Sequence, residues 1–253
     1  MGHNDTVISS FGHQAAKFAA YHMSKAEYTN YLIHRIAPTG EETALEVAAG
    51  TCICGRALAP HVKHIDCLDL TPAMLAQGQS LAKEAGLSNI AFVTGDAGAL
   101  PYADESFDLI ITRLSLHHFA RPEVPFQEMV RVLKHGGKLV IWDMVATEEA
   151  LRDTDDAIER MRDPSHTRIL SRQEFEALFH MGCSLQTEEV TLVPVNLQSW
   201  MNLTDTPMAT QATITALFRA ELEGGKKTGF FPYEKDGQIF FDHRWLLLIG
   251  IRQ

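Results

Sequence analysis

ALEVAAGTC, residues 44–52, combines an apolar run, a glycine turn and a helix start in nine residues. Its opening run is apolar apart from Glu46 and reads as a strand buried in a parallel sheet. Gly50 supplies a tight turn at which backbone can approach a ligand, and helix resumes near Ile53. Asp69 closes a second apolar strand, 64–68, and Asp96, in Gly95-Asp96-Ala97, closes a third, 90–94. Taken singly, the glycine is a plain turn and each aspartate a helix N-cap or a solvated loop residue. Three such features at the ends of three successive strands lie where open α/β sheets bind ligands. Together they read as the grip on an adenosine-containing cofactor, with Asp69 accepting hydrogen bonds from ribose hydroxyls and Asp96 reaching a base edge.

The pattern extends outward in both directions. Strand 107–112, helix 122–133, a turn at Gly136-Gly137 and strand 138–143 continue a βα alternation, which makes a parallel sheet with right-handed crossovers. Upstream, Phe11, Ala15, Phe18 and His22, then Tyr28, Leu32 and Ile36, recur at helical steps until Pro38-Thr39-Gly40. Downstream, the polar stretch 147–163 reads as a surface helix ended by Pro164. Ser171 to Glu174 is a capping box that opens a helix to about Met181. Strands 184–193 and 238–251 follow, with helices 198–203 and 207–223 and a loop, GGKKTGFFPYEKDG, between them. The chain is expected to be one domain over 1–253: an N-terminal helical cap (9–37), a cofactor-binding core (43–143), the C-terminal half of that core (144–193), a helical lid insertion (194–236) and a final strand (237–253). With the N-terminal helices and the segment after Asp143, this insertion is expected to stand over the C-terminal edge of the sheet as a lid and keep the reacting groups aligned and dry.

With 253 residues and 45 % hydrophobic composition, the chain can bury a core that needs no disulfide or metal staple. Net charge is −10 and the basic residues are scattered singly, which argues against a nucleic-acid partner. No apolar run reaches membrane-spanning length and no basic-then-apolar leader opens the sequence, so no membrane insertion and a cytoplasmic location are expected. Cys52, Cys54, Cys67 and Cys183 are read as buried small hydrophobes. A metal site from the first three with His61 or His64 lacks the usual C-x-x-C spacing, so no metal is expected. The oligomeric state is not legible.

The block GDAGALPYADESFDLIITRLSLHHF followed by EMVRVLKHGGKLVIWD, residues 95–143, resembles the class I S-adenosylmethionine-dependent methyltransferases, near the ubiquinone/menaquinone-biosynthesis C-methyltransferases. The resemblance runs from Phe11 to about Asp143. It implies a doubly wound, Rossmann-like α/β fold whose mostly parallel sheet has seven strands, the last antiparallel. S-adenosyl-L-methionine is the implied cofactor and a small molecule the implied methyl acceptor. Glu46, Ala48, Gly50, Thr51 and Cys52 would surround the methionyl part. Asp69 would hold the ribose, Leu70 and Met74 would flank the adenine, and Gly95, Asp96 and Ala97 would meet its edge. Backbone at Arg113 would face the cofactor's amino group. Two residues depart from the family pattern, which has Gly where Cys52 stands and Pro where His135 stands. A side chain at 52 would narrow the methionyl space if that residue needs positive φ.

Methyl transfer from a sulfonium is a one-step displacement that depends on alignment, aided for some acceptors by a base. His118, at the mouth of the site, and His166, in the loop RDPSHTR, are the candidate catalytic histidines. Arg168 in the same loop could clamp a carboxylate or phenolate. Tyr21, His22, His117, Trp200 and Met201 complete the candidate substrate wall, with Met208 and Phe218 behind them. Each has a plainer reading as core, cap or ion-pair partner. Thr112 to Ser115 lacks the Asn/Asp-Pro-Pro-aromatic arrangement that grips a planar amine, which disfavours DNA adenine or protein glutamine as acceptor. Two rivals stand beside the methyltransferase reading. One is a non-catalytic S-adenosylmethionine-binding or sensing protein, crowded by Cys52 and the lid. The other is a nicotinamide-dependent oxidoreductase, which needs glycine at position 52.

Overall fold

The computed structural model describes residues 2–20 and 26–253. Its centre is an eight-stranded sheet: β1 (Thr43–Val47), β2 (His64–Asp69), β3 (Ile90–Thr94), β4 (Phe107–Arg113), β5 (Leu133–Met144), β6 (Cys183–Asn196), β7 (Tyr233–Lys235) and β8 (Gln238–Arg252). Seven strands run in the order β3-β2-β1-β4-β5-β8-β6, and β7 pairs with β8 off that path. Strands β1 to β5 pair in parallel, while β8 runs antiparallel to both β5 and β6. The order reverses at β1 and β4, which is the switch point where doubly wound sheets open a crevice.

The parallel strands form because they are buried on both faces. Leu45, Val47, Ile110, Leu139 and Ile141 fill one face, packing against α5 (Glu123–Val132) and α7 (Arg172–Phe179). Ala44, Ile65, Leu109, Ile111, Val140 and Trp142 fill the other, against α2 (Ala26–Ile36) and α3 (Ile53–Leu58). Two short connections expected from the sequence hold in detail. Ser171 caps α7 through the Glu174 amide, with Glu174 returning the bond, and Pro72 opens α4 (Pro72–Glu84).

Three expectations are corrected. The stretch 147–163 is not a surface helix: within α6 (Arg152–Arg162), Asp155, Asp156, Ile158, Glu159 and Arg162 are buried. Part of its polarity is met inside the fold, by Arg162 on Glu159 (3.0 Å) and His166 on Asp156 (2.7 Å), while Asp155 Oδ1 and Glu159 Oε1 are buried with no hydrogen bond. The loop expected between the last helix and the final strand carries β7, which turns into β8 at Asp236-Gly237, a hairpin dipeptide. The insertion 194–236 does not cover the edge of the sheet. Its helices, α8 (Leu197–Leu203) and α9 (Met208–Leu222), close their own cluster with Ile158, Phe230 and Phe241. Of the segments expected to cover the edge, the N-terminal helix α1 (His3–Ala20) does so.

Candidate functional site

A cavity of about 530 Å³ opens at the C-terminal ends of β1 to β4, within the size range of small-molecule sites. Its floor follows the strand order. Gly95, Asp96 and Ala97 come from the end of β3, Asp69 and Leu70 from β2, Glu46, Ala48, Gly50 and Thr51 from β1, and Arg113 from β4. Met74 enters from α4. The roof is α1, which presents Val7, Phe11 and Phe18 at helical spacing, with His3 and Asn4 at its start. Phe11 meets the His118 ring edge-on at 5.1 Å.

Each acidic group is aimed by backbone. Gly50 N–H donates to Asp69 Oδ2 (2.7 Å) and Thr71 N–H to Oδ1 (2.8 Å), which fixes the carboxylate while each oxygen keeps lone-pair capacity for a ligand hydroxyl. Burial raises the Asp69 pKa, and those two amides oppose the rise. Gly50 sits at φ +54, and a Cβ there would come 3.2 Å from Met74 Cε, inside the cavity. Asp96 accepts from Gly98 N–H (2.8 Å) and from Asn4 Nδ2 (3.2 Å), so α1 docks on the residue expected to read a base edge. His3 Nε2 donates to the His118 carbonyl (2.5 Å). His3 and Asn4 were not legible as site residues, because their partners lie 115 and 92 residues away.

Glu46 has a second task. Its Oε1 accepts from Cys54 N–H (3.2 Å) and its Oε2 from Gly55 N–H (2.7 Å) and the Cys67 thiol (3.6 Å). Burial pushes its pKa up to about 7. The ligand atoms of Glu46, Cys52 and Cys67 lie within 4.8 Å of one another. A hydrogen bond with Cys52 and then burial drive the Cys67 thiol well above its ordinary pKa, which favours protonated, hydrogen-bonded thiols.

Cys52 adopts the left-handed conformation that the sequence made conditional, φ +57, yet it does not enter the methionyl space. Its side chain turns away from the cavity into a cluster with Ala49, Cys67 and Leu75. Room for that turn comes from Gly78 on α4, where a Cβ would meet Cys52 Sγ at 2.8 Å and the Thr51 carbonyl at 2.9 Å. The steric ground for a non-catalytic binder therefore falls away.

The loop after β4 is held from beneath by Asp143, a residue the sequence marked only as the end of a motif. Its Oδ2 accepts from Ser115 N–H (2.9 Å) and Leu116 N–H (2.6 Å), and its Oδ1 from Met144 N–H and His117 Nδ1 (both 2.7 Å). Burial alone would lower the His117 pKa, but the charge and hydrogen bond of Asp143 outweigh it and raise it. His117 is thus a buried brace and lines no part of the cavity. His118 does line it, with Nδ1–H directed at the Ser165 carbonyl (3.2 Å). Burial, then the neighbouring His117 charge, lowers its pKa to about 3, which makes it a poor proton acceptor at neutral pH.

The remaining candidates lie elsewhere. His166 is buried against Asp156, and Arg168 pairs with Glu174. Trp200 and Met201 are core residues of the α8 and α9 cluster, as is Phe218, while Met208 is 81 % exposed. None of these lines the cavity. Tyr21 and His22 lie outside the described residues.

Arg113 ends β4 with its guanidinium over the faces of Trp245 (4.7 Å) and Trp142 (5.3 Å). Burial pulls its pKa down, while Cys54, Glu46 and Asp143 act against that.

Residues 45–141 match the family model described as a methyltransferase domain. The chain is 30% identical over 216 residues to the uncharacterized methyltransferase YcgJ of Bacillus subtilis, covering 84% of this chain and 85% of that protein. The crystal structure of YcgJ superposes with a TM-score of 0.82, covering 92% of this chain and 99% of that one at 27% identity. A putative methyltransferase from Bacillus halodurans gives a TM-score of 0.81 at 25% identity, covering 88% and 97%. A ubiquinone/menaquinone biosynthesis C-methyltransferase of Roseobacter denitrificans is 38% identical over 109 residues, 42% of this chain and 44% of that protein. Among the described residues no helix is long and apolar enough to cross a membrane.

Proposed function

This chain belongs to the class I S-adenosylmethionine-dependent methyltransferases, and from that premise we propose that it methylates a small, partly apolar molecule in the cavity beneath α1. One observation carries the reading. Gly50, Asp69 and Asp96, at the ends of three adjacent strands, face a single cavity roofed by an apolar helix face. The donor set suits the cofactor: a fixed carboxylate for a diol at Asp69, a second for an amine at Asp96, and at Gly50 a backbone approach that a Cβ would obstruct.

The bound cofactor supplies an electrophilic methyl group. The protein's own work is alignment and exclusion of water. Asp69 and Asp96 fix the nucleoside, Asp143 holds the turn from Ser115 to His118 against the cavity, and Val7, Phe11 and Phe18 close it. His118 stays neutral, and both Glu46 oxygens are committed to amides of α3, so neither is placed to take a proton. An acceptor that reaches the site already ionised, such as a phenolate or enolate, fits this wall best. Phe11, Phe18 and Phe119 favour one with a planar apolar body. The relatives named for quinone biosynthesis point the same way, although they match this chain over less than half their length.

The test is transfer of label from methyl-labelled S-adenosylmethionine into a panel of hydroxylated aromatic and 1,3-dicarbonyl acceptors. Product that appears with the native chain and disappears in Asp69→Ala supports the reading. Cofactor binding with no transfer to any member of the panel counts against this acceptor class.

A further inference from the structure

Next to the Gly50 turn the chain gathers two thiols and a carboxylate. Glu46 comes from β1, Cys52 from the residue before α3, and Cys67 from β2. All three are buried, with at most 3 % exposure, and one ligand atom of each lies within 4.8 Å of the other two. The spacing that argued against a metal counts neighbours along the chain, whereas these partners come from three elements that meet only in the fold.

The surroundings are apolar, with Ala49 and Leu75 completing the cluster around the two sulfurs, and a carboxylate placed there needs partners. Two glycines on the covering helices leave the sulfurs their space. A Cβ on Gly55 of α3 would overlap Cys67 Sγ and come 2.8 Å from Glu46 Oε2, and one on Gly78 of α4 would come 2.8 Å from Cys52 Sγ. Cys67 Sγ and Glu46 Oε2 stand 3.6 Å apart, joined by the thiol proton. In a Zn²⁺ tetrahedron with bonds of ~2.3 Å to sulfur and ~2.1 Å to oxygen, the sulfur–oxygen edge is ~3.6 Å, so this pair already stands at ligand spacing. The amides of Cys54 and Gly55 take one lone pair from each Glu46 oxygen and leave the other.

We propose that Glu46, Cys52 and Cys67 form a binding site for one thiophilic divalent cation, of which Zn²⁺ is the type. The ion takes the place of the two thiol protons, which leave to solvent, and the sulfurs bind it as thiolates. Two thiolates select zinc over magnesium or calcium, which require shells of oxygen. Glu46 alone of the three lines the large cavity, and that wall is the ion's way in. Once bound, the ion fastens β1, the turn and β2 to one another, two residues in sequence from Gly50 and two from Asp69.

The experiment starts from the reduced full chain, stripped of metal with a chelator. Zn²⁺ is titrated in competition with a chromogenic chelator, and Co²⁺ is added separately as a spectroscopic probe. The native chain should take up one equivalent of Zn²⁺ with a dissociation constant on the order of nanomolar, and Co²⁺ should show the charge-transfer absorption of thiolate ligation. Cys67→Ser and Cys52→Gly should each weaken Zn²⁺ by about a hundredfold or more, and Zn²⁺ should raise the melting temperature of the native chain but of neither variant. Without metal, Cys52→Gly is expected to be about as stable as the native chain, so its loss of Zn²⁺ cannot be put down to misfolding. Cys183→Ser, which removes the thiol remote in sequence, should bind as the native chain does. Zn²⁺ bound no tighter than about micromolar, a Co²⁺ spectrum without thiolate absorption, or undiminished binding in Cys52→Gly overturns the proposal. Loss of the ion in Cys183→Ser instead does the same. Where Cys67→Ser does not fold, the Co²⁺ spectrum of the native chain and the Cys52→Gly titration still decide.

Discussion

The edge of β1 to β4 and the region around α6 use the same residue types in opposite ways. At the edge, Asp69 and Asp96 are anchored by backbone amides on one side and open to a cavity on the other. Around α6, Asp156 is taken by His166 and the Ile169 amide, Glu159 by Arg162, and Asp163 by Ser165. Carboxylates of the first kind retain lone pairs for a ligand, whereas those of the second are spent inside the fold. What separates the two regions is where the partners lie, and polarity alone does not reveal it.

That contrast can be broken most forcefully at Trp200, which packs against Phe230 and Phe241 beneath Arg162. If the α8 and α9 cluster is core and not acceptor pocket, Trp200→Ala costs about 3–5 kcal/mol in denaturant unfolding and leaves S-adenosylhomocysteine affinity within about twofold. A large loss of affinity in folded protein would move the lid back over the site. Asp69→Ala should do the reverse, weakening S-adenosylhomocysteine about a hundredfold by calorimetry, on the order of 2–3 kcal/mol, while the chain still melts cooperatively. Near-native affinity in that variant would place the ligand elsewhere.

Gly78→Ala probes the link between the edge and its support. The added methyl would collide with Cys52 Sγ and the Thr51 carbonyl, at an expected cost of about 1–3 kcal/mol in unfolding free energy and with weaker cofactor binding through the displaced turn. The brace under the β4 loop is testable by pH. His117 has a folded pKa above its unfolded value, so the stability it contributes is complete below about pH 6.5 and is lost as pH rises through the folded pKa. The melting temperature of the native chain should therefore exceed that of His117→Gln by more at about pH 5.5 than at about pH 9, and an equal gap would contradict the pairing. The smallest effect is expected at Cys52→Gly, where relief of the left-handed conformation offsets a lost buried thiol. Stability should change by less than about 1 kcal/mol and affinity by less than about twofold.

Much of the edge was legible because periodicity marks buried strands and the ligand-facing residues follow them directly in sequence. Strand 90–94 is observed with the expected bounds, and residues 44–52, 69 and 96 come together as their places at strand ends require. Cys52 was legible only in part. A positive φ stood there only as a condition, suggested by the family's glycine, and the direction of its side chain depends on Gly78, 26 residues on and invisible to local patterning. The polar face of 152–162 and the loop 163–169 were misread because a buried salt bridge and a solvated one have the same sequence. Nor could the sequence say that, of the segments expected over the edge, the N-terminal helix and not the insertion covers it. The apolar stripes of 3–20 and 197–222 look alike until Phe11 is seen against His118 and Trp200 against Phe241.

One adenosyl cofactor along the ends of β1 to β4 is what the site is built to hold. Calorimetric titration of the native chain with S-adenosylhomocysteine, with NADH as the control, tests it most directly. The account predicts a single site with a dissociation constant on the order of micromolar and no heat from NADH. Silence with the thioether, or tighter binding of NADH, would contradict it.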